Sequence, residues 1–196
     1  AGVSVEDSAS IQTTTPGGYV ALMGASVNNQ GHISTQQGAV VMAAGESVAL
    51  PQTLTNSVGI PLSSKVRLEI APSSIAATVD NGGVITTEGG QVLMQASSVV
   101  DAVSRVANAS VSNTGSIDTS AAQGGAVSLQ AEGGQIKVAG SIKADSTQAG
   151  HKGGDVIIGR DEQTGALAHN TDVSQANIQS NKGFVETSGE HLTVDG

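Results

Sequence analysis

One nine-residue phrase, V-x-N-x-G-x-I-x-T, recurs along this chain and constrains its fold more than any other feature. It reads Val27, Asn29, Gly31, Ile33, Thr35, then Val79, Asn81, Gly83, Ile85, Thr87, then Val111, Asn113, Gly115, Ile117, Thr119. A looser first copy is Val5, Asp7, Ala9, Ile11, Thr13, and a degraded one is Ile136, Val138, Gly140, Ile142, Ala144. A second phrase, G-x-V-x-L-x-A, follows these, with Val20, Val40, Val92 and Val127 in its valine position and frayed copies at Val156 and Val185. Apolar residues fall at every second position in both, the period of a strand whose successive side chains point to opposite faces.

From Ile33 to Val40, Ile85 to Val92 and Ile178 to Val185 the step is seven residues, enough for a short turn. One cycle takes 22 residues from Val5 to Val27, 32 from Val79 to Val111 and 25 from Val111 to Ile136. Short strands, glycine turns and a cycle near this length predict an all-β chain: a parallel β-helix, or β-solenoid, with short extra-helical insertions. Val20, Val40, Val92, Val127, Val156 and Val185 form one expected internal column, and Ile11, Ile33, Ile85, Ile117 and Ile142 another. Asn29, Asn81 and Asn113 either point inward as a hydrogen-bonded ladder or mark a bend that tolerates left-handed backbone. A β-sandwich also alternates, but it does not require the same phrase at the same place in successive cycles. About seven to nine coils and a rod of roughly 35–40 Å follow from the strand spacing.

Composition agrees with a narrow tube. The hydrophobic content of 38% includes one Tyr, one Phe and no Trp, so the core is built of small and branched side chains. A formal charge of −9 with only eight scattered Lys and Arg argues against a nucleic-acid partner. No cysteine is present, which removes disulfides and thiolate chemistry. No apolar run approaches the roughly 18 residues of a membrane span. The start at Ala1 reads as a processed chain or an excised fragment.

The repeat lapses twice. Near residues 51–78, "KVRLEI" (Lys65 to Ile70) still alternates and reads as an extra strand or hairpin outside the coil, while "PSSIAATV" is expected to form one helical turn. In residues 97–110, Val99, Val103 and Val106 are spaced four and three apart, and Ser98 and Asp101 resemble a capping pair. A short helix on the solenoid flank is expected there. Insertions are where solenoids often carry binding surfaces, and they equally serve to shield a face or an edge.

The stretches "GGYVALMGASVNNQGHIST", "GAVVMAAGESVAL" and "DNGGVITTEGGQVLMQASSVVDAVSRVANASVSNTGSIDTS", with the later "KGGDVIIGRDEQ" and "NKGFVETSGEHLTVDG", resemble the filamentous-haemagglutinin-like large exoproteins of bacterial two-partner secretion. The resemblance covers nearly the whole chain. It implies a right-handed parallel β-helix in a single segment over 1–196, a surface adhesin secreted through an outer-membrane transporter partner. The Asn-Pro-rich secretion motifs of that family are absent, which places the segment as the later part of a secretion domain and the start of the rod. It implies a host-cell receptor or glycan as partner, a monomeric segment of a longer chain, and no cofactor. The absence of cysteine suits passage of an unfolded chain through a pore.

Two alternatives are a β-helical polysaccharide-active enzyme and a haem- or haemopexin-binding exoprotein. The nearest acidic set for an enzyme is Asp155, Asp161 and Glu162 beside Arg160, without aromatic platforms for sugar rings, and it reads as a solvated turn; no catalytic residue is assigned. "AGHKGGD" (Ala149 to Asp155) lacks the ending of a phosphate loop. His32, His151, His169 and His191 have no metal-ligand spacing, and the calcium nonapeptide is missing. Asn108, in "NAS", is a candidate glycosylation site.

Overall fold

A computed structural model describes residues 1–50 and 65–195. The chain winds through three parallel sheets in strict rotation, one strand of each per coil. The asparagine face stacks seven strands: Gly2–Val5, Ser26–Asn29, Ala77–Asn81, Ala109–Asn113, Gln135–Val138, Asn170–Asp172 and His191–Thr193. The isoleucine face stacks Ser10–Gln12, His32–Ser34, Val84–Thr86, Ser116–Asp118, Ser141–Lys143 and Asn177–Gln179. The valine face stacks Tyr19–Gly24, Ala39–Ala44, Gln91–Ala96, Ala126–Gln130, Asp155–Ile158 and Phe184–Thr187. This is a parallel β-helix.

Repetition in sequence becomes register in space. Val20, Val40, Val92, Val127, Val156 and Val185 pair directly from coil to coil. Ile11, Ile33, Ile85, Ile117 and Ile142 do the same, and Ile178 extends their column. Each buried Val or Ile contributes about 1.5–3 kcal/mol of transfer free energy, and a tube this narrow accepts nothing larger at every level. Stacking also dictates the glycines at one corner: a Cβ on Gly90 would collide with the Gly38 carbonyl, and one on Gly125 with that of Gly90.

The asparagines point inward. Asn29, Asn81 and Asn113 are fully buried. Asn29 Nδ2 donates to Asn81 Oδ1 at 2.8 Å, and Asn81 Nδ2 donates to Asn113 Oδ1 at 2.7 Å. Asn113 Nδ2 ends the ladder on the Ser141 carbonyl at 3.3 Å.

Four expectations need correction. The first copy of the phrase is shifted: Val3, not Val5, pairs with Val27, and Val5 occupies the asparagine position opposite Asn29. Two extra residues in that first turn absorb the shift. The rod is shorter than expected, since seven levels span six steps, about 29 Å at the usual strand spacing. "PSSIAATV" runs into the strand Ala77–Asn81, with Val79 buried in the column, because pairing to Ala109–Asn113 outweighs a single helical turn. Residues 97–110 hold no helix; Val100 and Ala107 pair antiparallel across a tight hairpin instead. The expected outer hairpin is present, as Ser47–Ala49 pairs antiparallel with Glu69–Ala71. Residues 51–64 of the first insertion lie outside the described residues.

Candidate interaction surface at one corner

Three longer departures from the coil leave the same corner, between a valine-face strand and the next asparagine-face strand. They follow Ala39–Ala44, Gln91–Ala96 and Asp155–Ile158. The third was not foreseen in the sequence. A fourth loop, at residues 144–154, leaves the opposite end of the valine face and carries the exposed His151.

The second and third departures are copies of one hairpin. Val100 pairs with Ala107 and Arg160 with Leu167. Asp101 N–H donates to Val106 O and Asp161 N–H to Ala166 O, both at 2.9–3.0 Å. Asp101 Oδ1 accepts from the backbone of Val103 and Ser104, and Asp161 Oδ1 from Gln163 and Thr164. The turn closes on left-handed backbone at Arg105 (φ 61°) and Gly165 (φ 76°). Hydrogen bonds from Ser104, backbone and hydroxyl, hold the Asp101 carboxyl below the ordinary carboxylate range, with Val103 N–H adding to them. Gly133, in the coil between, links the two hairpins: its carbonyl accepts from Ala107 N–H at 2.8 Å and its N–H donates to Leu167 O at 2.9 Å.

Apolar side chains collect on this corner. Val103 is 93% exposed at the first hairpin tip, Ile75 66% and Val99 60%. A parallel bridge between Ser73 and Ser98, with Val99 N–H donating to Ser73 O, sets Ile75 and Val99 on neighbouring levels. Met23, Val48 and Ile75 line a groove of about 540 Å³ beside them. The helical spacing of Val99, Val103 and Val106 therefore marks an exposed turn, not a buried helical face.

Leu50, just before the first insertion, and Val66, within it, lie against the outer valine face. Val41, Ala43, Leu93 and Ile157 alternate with the internal column, so they point outward, yet they are buried. Tyr19, Leu50 and Val66 pack with Ala39 there. Val66 N–H donates to Gln91 Oε1 at 2.8 Å, and Lys65 Nζ reaches Glu162 at 2.6 Å and Asp155 at 3.7 Å. The acidic set is thus divided: Asp155 and Glu162 share Lys65, while Asp161 caps its own turn.

Arg160 forms a two-pronged pair with Glu186 on the next coil, at 2.5 and 2.6 Å. This pair, helped by the Ser188 hydroxyl, pushes the Glu186 carboxyl down to about 2 and raises Arg160. His169 Nδ1 lies 2.8 Å from Glu190 Oε2, with the His191 ring edge-on at 5.1 Å. His32 touches Thr86 Oγ1 at 3.4 Å, far from the others. Among the described residues no group of three His, Asp or Glu is placed to hold a metal ion. Asn108 is exposed at the foot of the first hairpin, its carbonyl accepting from Ala77 N–H.

Sequence reading missed Lys65, Gln91 and the second hairpin. For the hairpin a signal existed: Asp101 to Arg105 and Asp161 to Gly165 share D-x-x-[ST] before the left-handed residue. The molecule is, by its architecture, a three-faced parallel β-helix with one dressed corner. Comparison with protein-family models, curated proteins and solved structures finds no match to it.

Proposed function

We propose that this chain is a non-enzymatic length of β-helical shaft from a secreted bacterial surface protein of the filamentous-haemagglutinin-like type, exported through an outer-membrane partner. Its role is to hold the dressed corner out for attachment to host cells or other surfaces. The observation that carries the reading is the alignment of three insertions, two of them copies of one hairpin, on one corner of an otherwise regular coil. A regular coil makes a stiff spacer, and insertions mapped to one side are the usual place for recognition in solenoids.

The test is binding of the immobilised chain to epithelial cells, with Ile75→Asp/Val99→Asp/Val103→Asp as comparison. Loss of attachment by a variant with unchanged circular dichroism supports the reading. Attachment that survives the triple change removes the corner from it. New reducing or unsaturated ends after incubation with a polysaccharide panel would overturn the non-enzymatic reading in favour of a glycan-active enzyme. Selective capture of haem or haemopexin would turn it toward acquisition.

A further inference from the structure

The chain contains a single Asn-Gly pair, Asn81–Gly82, and it sits on the middle rung of the buried ladder. Glycine is not required there by the fold. The matching positions of neighbouring coils hold Gln30, Thr114 and Ala139. A Cβ on Gly82 would meet only the flexible end of Gln30, and its φ is not left-handed, whereas one on Gly83 would strike the Gly31 carbonyl.

We infer that Asn81 is a deamidation site open only while the chain is unfolded, so that molecules slow to fold lose the ability to do so. In an Asn-Gly pair no side chain shields the following backbone nitrogen. Gly82 N attacks the Asn81 side-chain carbonyl carbon and loses its proton to solvent. The bond from that carbon to Nδ2 breaks, and Nδ2 leaves with that proton equivalent as ammonia. Water then opens the succinimide at either carbonyl, giving aspartate or isoaspartate.

Folding closes this route at both reacting groups. Asn81 Oδ1 and Nδ2 are held by Asn29 and Asn113, and Gly82 N–H donates to Asn29 O at 2.8 Å. Reaction in the folded chain requires local opening of a fully buried rung, which slows it by on the order of 100-fold or more. The product does not fit back. Aspartate has no N–H to give Asn113 Oδ1 and brings a charge into an apolar tube. Isoaspartate lengthens the backbone within a strand whose faces are set by a strict period of two.

The experiment ages the full chain in guanidinium chloride at mildly alkaline pH beside a native sample in the same buffer, then refolds the aged sample by dilution. The peptide bearing Asn81 is followed by mass spectrometry in the folded and unfolded fractions. The expected result is deamidation in denaturant, little in the native sample, and exclusion of deamidated molecules from the refolded fraction. Gly82→Ala is expected to fold normally and to keep its refolding yield after ageing. Deamidated Asn81 in the refolded fraction at its input proportion would overturn the inference, as would native deamidation at the unfolded rate. An equal loss of yield in Gly82→Ala would do the same.

Discussion

Asn81 donates to Asn113 Oδ1 while accepting from Asn29 Nδ2, so one buried side chain satisfies two neighbours on different coils. Removing it orphans a donor above and an acceptor below. Asn81→Val is expected to cost about 2–4 kcal/mol, more than Asn29→Val at the ladder's end. Replacing all three asparagines by Val is expected to cost less than Asn81→Val alone, because no amide is then left unpaired. Valine fits the position sterically, since Val5 and Val138 already occupy it on flanking coils. Urea denaturation of the three variants checks the order.

The valine column makes a second, larger prediction. Val92 and Val127 are buried and face each other on adjacent coils. Val92→Asp or Val127→Asp places an unpaired carboxylate in the tube, and loss of more than about 4 kcal/mol is expected. If the chain is exported as proposed and stacking draws it through the pore, both variants lower secreted yield. Normal secretion with normal circular dichroism would count against that coupling.

Threonine hydroxyls at one corner behave in the opposite way. Among the described residues, the hydroxyls of Thr35 and Thr87 are buried without a hydrogen-bond partner, whereas Thr119 Oγ1 reaches the Lys143 carbonyl at 3.4 Å. Thr87→Val keeps the shape and deletes an unsatisfied polar atom. A stabilisation of about 1 kcal/mol is expected, with a smaller effect for Thr119→Val. Thermal unfolding of the two variants distinguishes them.

Acid sensitivity follows from Glu186, whose carboxyl falls from 4.5 to about 2 through its pair with Arg160. A depressed carboxylate binds fewer protons folded than unfolded, so its contribution is complete above pH 4.5 and is lost as pH falls toward about 2. Glu186→Gln is expected to lose that contribution at neutral pH and to show a shallower fall across this window. Denaturation curves at stepped pH measure it.

The columns, the turns and the matched asparagine positions were legible because each obeys a local period and is written several times, but the period left open whether the asparagines point inward or mark a bend. The departures were not, for a reason Val103 illustrates. Its spacing from Val99 fits a helix, but Asp101 caps the backbone of Val103 and Ser104, and Arg105 turns left-handed, where a non-glycine residue gives no warning. The Lys65 clasp was equally hidden, since its partner Glu162 lies 97 residues away and no repeat connects them. Val3 shows the limit of phrase matching: two inserted residues moved the true register while Val5 kept the better-looking spacing.

The packing of Leu50 and Val66 on one face gives the rod a back and a front. A bare three-sided rod could be gripped equally from several directions, and a partner would have no means of telling its rotation. Here the padded valine face and the hairpins at its edge set a fixed azimuth. Neighbouring shafts packed side by side on a surface would therefore turn the same edge outward only if something beneath them fixes each at a common angle.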